Sequence, residues 1–154
     1  MENKFNVIIP TAYKDFSFLK KTITYVAENI QPRKIVVVLD IRLLRYIPKE
    51  IKANSLIDLV DENNLVKDLS FLTVRNLLKR HGLPVSRTGW FLQQFLKLGF
   101  ALSELCDTDY YLSWDADTLP LRKLQFFSET GHPLFTKKKN IIMLISIHSQ
   151  RFYN

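Results

Sequence analysis

Two carboxylates separated by a single residue, Asp115 and Asp117, follow directly on the run Tyr110-Tyr111-Leu112-Ser113-Trp114. An aromatic, apolar run of this kind is strand material, so the pair stands at a strand's carboxyl end. In an open α/β sheet that end faces the crevice where ligands bind. One intervening residue lets both carboxylates turn toward one hard cation as the chain leaves the strand. Mg2+ and Mn2+ take oxygen ligands and are commonly held by one or two carboxylates plus substrate phosphates. Such a site suits a reaction in which a diphosphate departs and its growing charge must be neutralised. The same Asp-x-Asp is also ordinary turn sequence, since aspartate stabilises tight bends. Context has to decide.

That context is a set of alternating strands and helices. Phe5 to Pro10 reads as a buried strand closed by proline. Asp15 is placed to cap a helix over Phe16 to Asn29, whose apolar positions Phe16, Leu19, Ile23, Val26, Ala27 and Ile30 recur at three- and four-residue steps. Lys34 to Asp40 is a continuous β-branched run, the mark of a strand covered on both faces. Strand, helix, strand in this order implies a right-handed crossover and a parallel pair. Ile41 to Asn54 reads as loop and short helix, Ser55 to Val60 as a third strand, and Leu69 to Arg80 as a helix ended at Gly82 and Pro84. A longer helix is expected over Phe91 to Leu105, with Leu92, Phe95, Leu98, Leu102 and Leu105 as its buried stripe. After the carboxylates, Leu121 to Phe127 begins another helix or a turn.

Composition narrows the class. A chain of 154 residues suffices for one α/β domain and has few glycines or prolines to spare for linkers. The single Cys106 has no intrachain partner for a disulfide, and no histidine near it in sequence to activate it. It is expected to be a buried, reduced thiol. The start resembles no signal peptide, and no apolar stretch approaches the ~18 residues that span a bilayer. A cytoplasmic location follows as the expectation, with the inner face of the membrane as a peripheral site. The net charge of +7 fits plain solvation, anionic lipid head groups or phosphorylated substrates. No nucleic-acid motif accompanies it, so nucleic acid is not expected as a partner.

Taken in order, Val7-Ile8-Ile9-Pro10-Thr11, Ile35 to Asp40, Gly89-Trp90-Phe91-Leu92-Gln93-Gln94-Phe95-Leu96-Lys97-Leu98 and Trp114-Asp115-Ala116-Asp117-Thr118 resemble bacterial glycosyltransferases of the GT-A type. The resemblance is greatest to a poorly characterised group with a Gly-Trp-(aromatic)-x-Gln-Gln-(aromatic)-x-Lys signature, often linked to surface polysaccharides. It runs from about Phe5 to Thr136. The implied fold is α/β, a mostly parallel sheet flanked by helices, the Rossmann-like nucleotide-sugar-binding half of a GT-A enzyme. The implied activity is metal-dependent transfer of a sugar from a nucleoside diphosphate donor to a glycan or lipid-linked acceptor, with Mn2+ or Mg2+ as cofactor.

Carried over by position, the resemblance puts Pro10 and Thr11 beside the base and ribose, and Asp40 near the base. Asp115 would touch the ribose or the metal, and Asp117 would hold the metal against the diphosphate. Arg87, Gln94 and Lys97 match polar positions that face the nucleotide-sugar, and Gln94 and Lys97 can share one helix face. Plain readings stand beside these: Arg87 and Lys97 as solvated surface charges, Gln93 and Gln94 as exposed helix residues, Trp90 as core or stacking surface. No catalytic base is legible, so inversion or retention of configuration is not read.

From Lys137 the chain departs from the group, which continues into an acceptor-binding half. Residues 1–136 are therefore read as the nucleotide-sugar-binding domain. Residues 137–154 are read as a divergent tail, expected to be a frameshift product of the Lys137-Lys138-Lys139 run. Two other readings fit part of the pattern. One is a nucleotide-sugar-binding remnant without turnover. The other is a haloacid-dehalogenase-like phosphohydrolase, which expects Asp-x-Asp-x-Thr early in the chain, whereas Thr118 follows Asp117 directly.

Overall fold

The structure is a computed structural model that describes residues 5–134 and the backbone of a strand at 144–146. Its centre is a five-stranded sheet. Strand β1 (Phe5–Pro10) is flanked by β2 (Lys34–Leu39) and β4 (Tyr110–Ser113); β3 (Ile57–Asp61) lies outside β2, and β5 (Leu144–Ser146) outside β4. The first four strands are parallel and β5 is antiparallel. Val7 therefore has Ile35 on one side and Leu112 on the other. This is the mostly parallel, helix-flanked α/β sheet that the alternating elements imply. Within the expected tail only β5 is described, so the frameshift reading of residues 137–154 lies otherwise outside the described residues.

Burial follows the two-residue period of the strands. Val7, Ile9, Ile35, Val37, Leu39 and Leu112 pack on one face under helix α1 (Phe16–Asn29). Ile8, Val36, Val38 and Tyr111 pack on the other, under helices α4 (Phe71–Arg80) and α5 (Thr88–Gly99). Two single-turn helices, α2 (Lys49–Lys52) and α3 (Glu62–Leu65), flank β3. Because both faces are covered, the strands are almost wholly apolar, as parallel sheets require.

Four local expectations are corrected. Asp15 does not cap α1: its carboxylate instead accepts the Ala12 N–H at 3.0 Å, closing a tight turn before the helix. Helix α5 begins three residues earlier than expected, at Thr88, and ends at Gly99. A short 3-10 turn over Phe100–Leu102 follows. Its buried stripe is Leu92, Leu96 and Phe100, while Leu98 is 54% exposed and Leu102 85%. The sequence offers two overlapping apolar stripes there, and the sheet selects one. A Cβ on Gly99 would meet Val66 Cγ2 at 2.5 Å, so a bare backbone lets the helix end approach that loop and fixes its rotation. Finally, Leu121 to Phe127 forms no helix. Asn29 of α1 donates to Pro120 O at 2.7 Å just before it, Leu124 N–H donates to Asn29 O at 2.9 Å, and Phe126 O accepts the Leu134 N–H at 2.8 Å. Phe126 then packs edge-on against Phe5, and Phe127 lies tilted against Phe5 and edge-on against Tyr110.

Candidate functional site

Carboxyl ends of β1, β2 and β3 open on one side of the sheet, and a cleft of about 440 Å3 lies there. Its floor is Pro10, Thr11, Val38 and Asp40; Glu62 and Phe71 form one wall, and Gly89, Trp90, Gln93 and Leu96 of α5 the other. The size is ordinary for a small-molecule site. Thr11 is buried, its N–H donating to Val38 O at 2.8 Å and its hydroxyl to Ile9 O at 3.1 Å. The end of β1 is thereby held rigid against β2. Tyr13, Phe71 and Trp90 line the cleft and are all exposed to water. Exposed rings around a floor of mixed polarity form a stacking surface for a flat or ring-shaped ligand.

Asp115-Ala116-Asp117 lies beyond the end of β4. The turn is fixed from beneath. Ala116 is buried in the core, and the wholly buried Thr22 of α1 donates its hydroxyl to Ala116 O at 2.6 Å. Trp114 Nε1 donates to Thr118 O at 2.8 Å, and Thr118 N–H to Asp115 O at 3.1 Å. Burying the middle residue turns Asp115 and Asp117 together toward solvent, and both are exposed. Outward carboxylates are the type of oxygen ligand that hard divalent cations take. Among the described residues no cluster of three or more His, Cys, Asp or Glu side chains surrounds one point. Other oxygens would have to complete the coordination, and phosphates are the natural supply.

Lys97 is brought onto this turn from α5. Its ammonium donates to Asp115 Oδ1. Tyr111 of β4 donates its hydroxyl to Lys97 O at 2.7 Å, which ties the helix to the strand that carries the carboxylates. Arg87, at the start of α5, lies over the Trp90 ring at 4.5 Å and the Phe91 ring at 5.7 Å, a cation–π stack at the cleft's rim. Asp40 is gripped by Arg42, whose Nε donates to its two oxygens at 2.9 and 3.0 Å. Those hydrogen bonds, chiefly, hold the Asp40 carboxyl below its usual pKa.

Of the residues singled out from sequence, Pro10, Thr11 and Asp40 line one cleft, Lys97 and Asp115 pair, and Arg87 sits on the rim beside Trp90. Gln94 is half-buried and is not part of the cleft lining, whereas its neighbour Gln93 is. Sequence reasoning missed Glu62. It directly follows β3, the same place that Asp40 holds after β2, and that repeated acidic residue at a strand's carboxyl end was the available signal. Cys106 is half-buried, and burial pushes its thiol up to about 11, which keeps it protonated and unreactive at neutral pH.

A family profile matches residues 2–149 of the chain. The chain belongs to DUF6492, a family of unknown function. No curated protein matches the DUF6492 chain in sequence. Among solved structures it overlaps the mannosyltransferase Ktr4p from S. cerevisiae, once in complex with GDP (10% identity, TM-score 0.44) and once without (11%, 0.45). Each overlap covers 75% of this chain, which spans about a third of the length of Ktr4p, 34% and 33% respectively.

Proposed function

We propose that this chain binds a nucleoside diphosphate sugar at the carboxyl edge of its sheet, as the donor-binding part of a metal-dependent glycosyltransferase of GT-A type. The observation that carries the reading is the braced Asp115-Ala116-Asp117 turn, which follows the strand next to β1 and does not itself line the ring-rimmed cleft at the end of β1. The motif resemblance over Gly89 to Leu98 supports it. Pro10, Thr11 and Asp40 would hold the nucleoside, with Arg87, Gln94 and Lys97 toward the diphosphate and sugar. Asp115 and Asp117 would hold Mn2+ or Mg2+. When bound, such an ion neutralises charge that develops on a departing diphosphate. The residues themselves orient the donor, and Lys97 and Arg87 add fixed positive charge near the leaving group. A glycan or lipid-linked acceptor fits the resemblance, and the net charge of +7 suits peripheral contact with anionic lipid.

Titration calorimetry with UDP and GDP, with and without Mn2+, tests the donor site. Wild-type protein should bind a nucleoside diphosphate only when metal is present. Asp117→Ala should lose that metal-dependent binding while melting within about 0.5 kcal/mol of wild type, because an exposed carboxylate contributes little packing. Unchanged metal-dependent binding by the variant would remove Asp117 from the site.

A further inference from the structure

The Lys97 side chain is 13% exposed while that of its partner Asp115 is 61% exposed. Its stem is packed within the protein, and its ammonium comes out at the Asp-x-Asp turn. Among the described residues, Asp115 is its only hydrogen-bond acceptor. Its backbone is not free to withdraw: Tyr111 holds the Lys97 carbonyl, and Gly99 is pressed against Val66. Only the end of the side chain can move.

The geometry points to a cation exchange at Asp115, in which Lys97 holds the carboxylate until a divalent ion and a diphosphate arrive together, and then passes its charge to the diphosphate. This rests on the donor-site reading above and adds a coupling between its two ligands. An ion binding alone must displace the ammonium from Asp115. It then leaves a same-sign charge close by that has lost its one acceptor among the described residues. A diphosphate supplies the missing acceptor, so each ligand strengthens the binding of the other, by the same factor in both directions. The pair also keeps Asp115 neutralised without metal, which holds the turn ready without a standing ion.

Mn2+ alone is the first probe, its free concentration followed by electron paramagnetic resonance. Lys97→Met keeps the packed stem and removes the charge. It should bind Mn2+ about tenfold tighter than wild type, within the usual range of coupling between sites. The surface control Lys79→Met should stay at the wild-type affinity. In the second titration, with Mn2+ present, Lys97→Met should bind UDP and GDP more weakly than wild type. The gain in Mn2+ affinity caused by nucleotide should shrink in the same variant. If Lys97→Met does not fold, Lys97→Gln reads the same two affinities. Mn2+ binding by the neutral variant at or below the wild-type level overturns the exchange. If Asp117→Ala still abolishes Mn2+ binding in that case, the metal site itself stands. Absence of Mn2+ binding in every variant, with nucleotide present or absent, overturns both.

Discussion

Glu62 directly follows β3, facing both Asp40 and Asp61, and it is half-buried in the cleft wall. Burial, first, and the charges of Asp40 and Asp61 raise its pKa above the ordinary 4.5, with Arg42 opposing. The sign of the consequence is fixed by linkage. Below the ordinary value Glu62 is protonated in folded and unfolded chains alike and costs nothing. As pH rises through the raised folded value the side chain must ionise in a place that disfavours charge, and stability falls. Glu62→Gln should therefore melt higher than wild type at pH 7, with the difference closing as pH approaches 4. Melts recorded across that range check this, and a gap that widened toward acid would show that Glu62 is paired rather than merely desolvated.

Between elements, the rotation of α5 matters most, because it sets Lys97 against Asp115, and Trp90 and Gln93 into the cleft. Leu96 is 1% exposed on the sheet-facing side, and Leu98 points to water. Leu96→Ala should cost about 2–5 kcal/mol, the usual toll of a buried leucine. Leu98→Ala should stay within about 0.5 kcal/mol of wild type, as surface substitutions do. Chemical denaturation of the two variants distinguishes them, and equal losses would mean that the helix is rotated from the orientation described. Helix α1 works at the same scale on the opposite face. Thr22 and Asn29 fasten residues 116 and 120 by their carbonyls, so this helix braces the acidic turn as well as covering the sheet.

For the molecule as a whole, the charge excess concerns partners rather than fold. No helix among the described residues is long and apolar enough to cross a membrane. With +7 spread over the chain, co-sedimentation with phosphatidylglycerol vesicles is expected, and none with phosphatidylcholine. Binding should vanish at about 1 M salt, where the screening length is near 3 Å. Equal sedimentation with both lipids, or with neither, would assign the charge to solvation or to phosphorylated ligands.

The sequence by itself determined the four parallel strands and their order of appearance, but not β5, which falls in the stretch read as a divergent tail. The β-branched runs at Phe5–Pro10 and Lys34–Leu39 can satisfy their apolar side chains only when covered on both faces, and the helix between them forces a parallel pair. It also marked Asp115 and Asp117, because a carboxylate pair just past a strand has a place in space as soon as the strand does. What it could not determine was the rotation of α5. Leu92, Leu96 and Phe100 compete with Leu92, Phe95 and Leu98 on hydrophobicity alone, and only packing against Ile8, Val36 and Tyr111, with Gly99 against Val66, separates them. Nor could it show that Leu121 to Phe127 runs without a helix, since that depends on bonds to Asn29 about 90 residues earlier. The Lys97–Asp115 pair belongs with these. Eighteen positions apart in the chain, the two charges meet only because Tyr111 ties the end of α5 to the strand that carries Asp115.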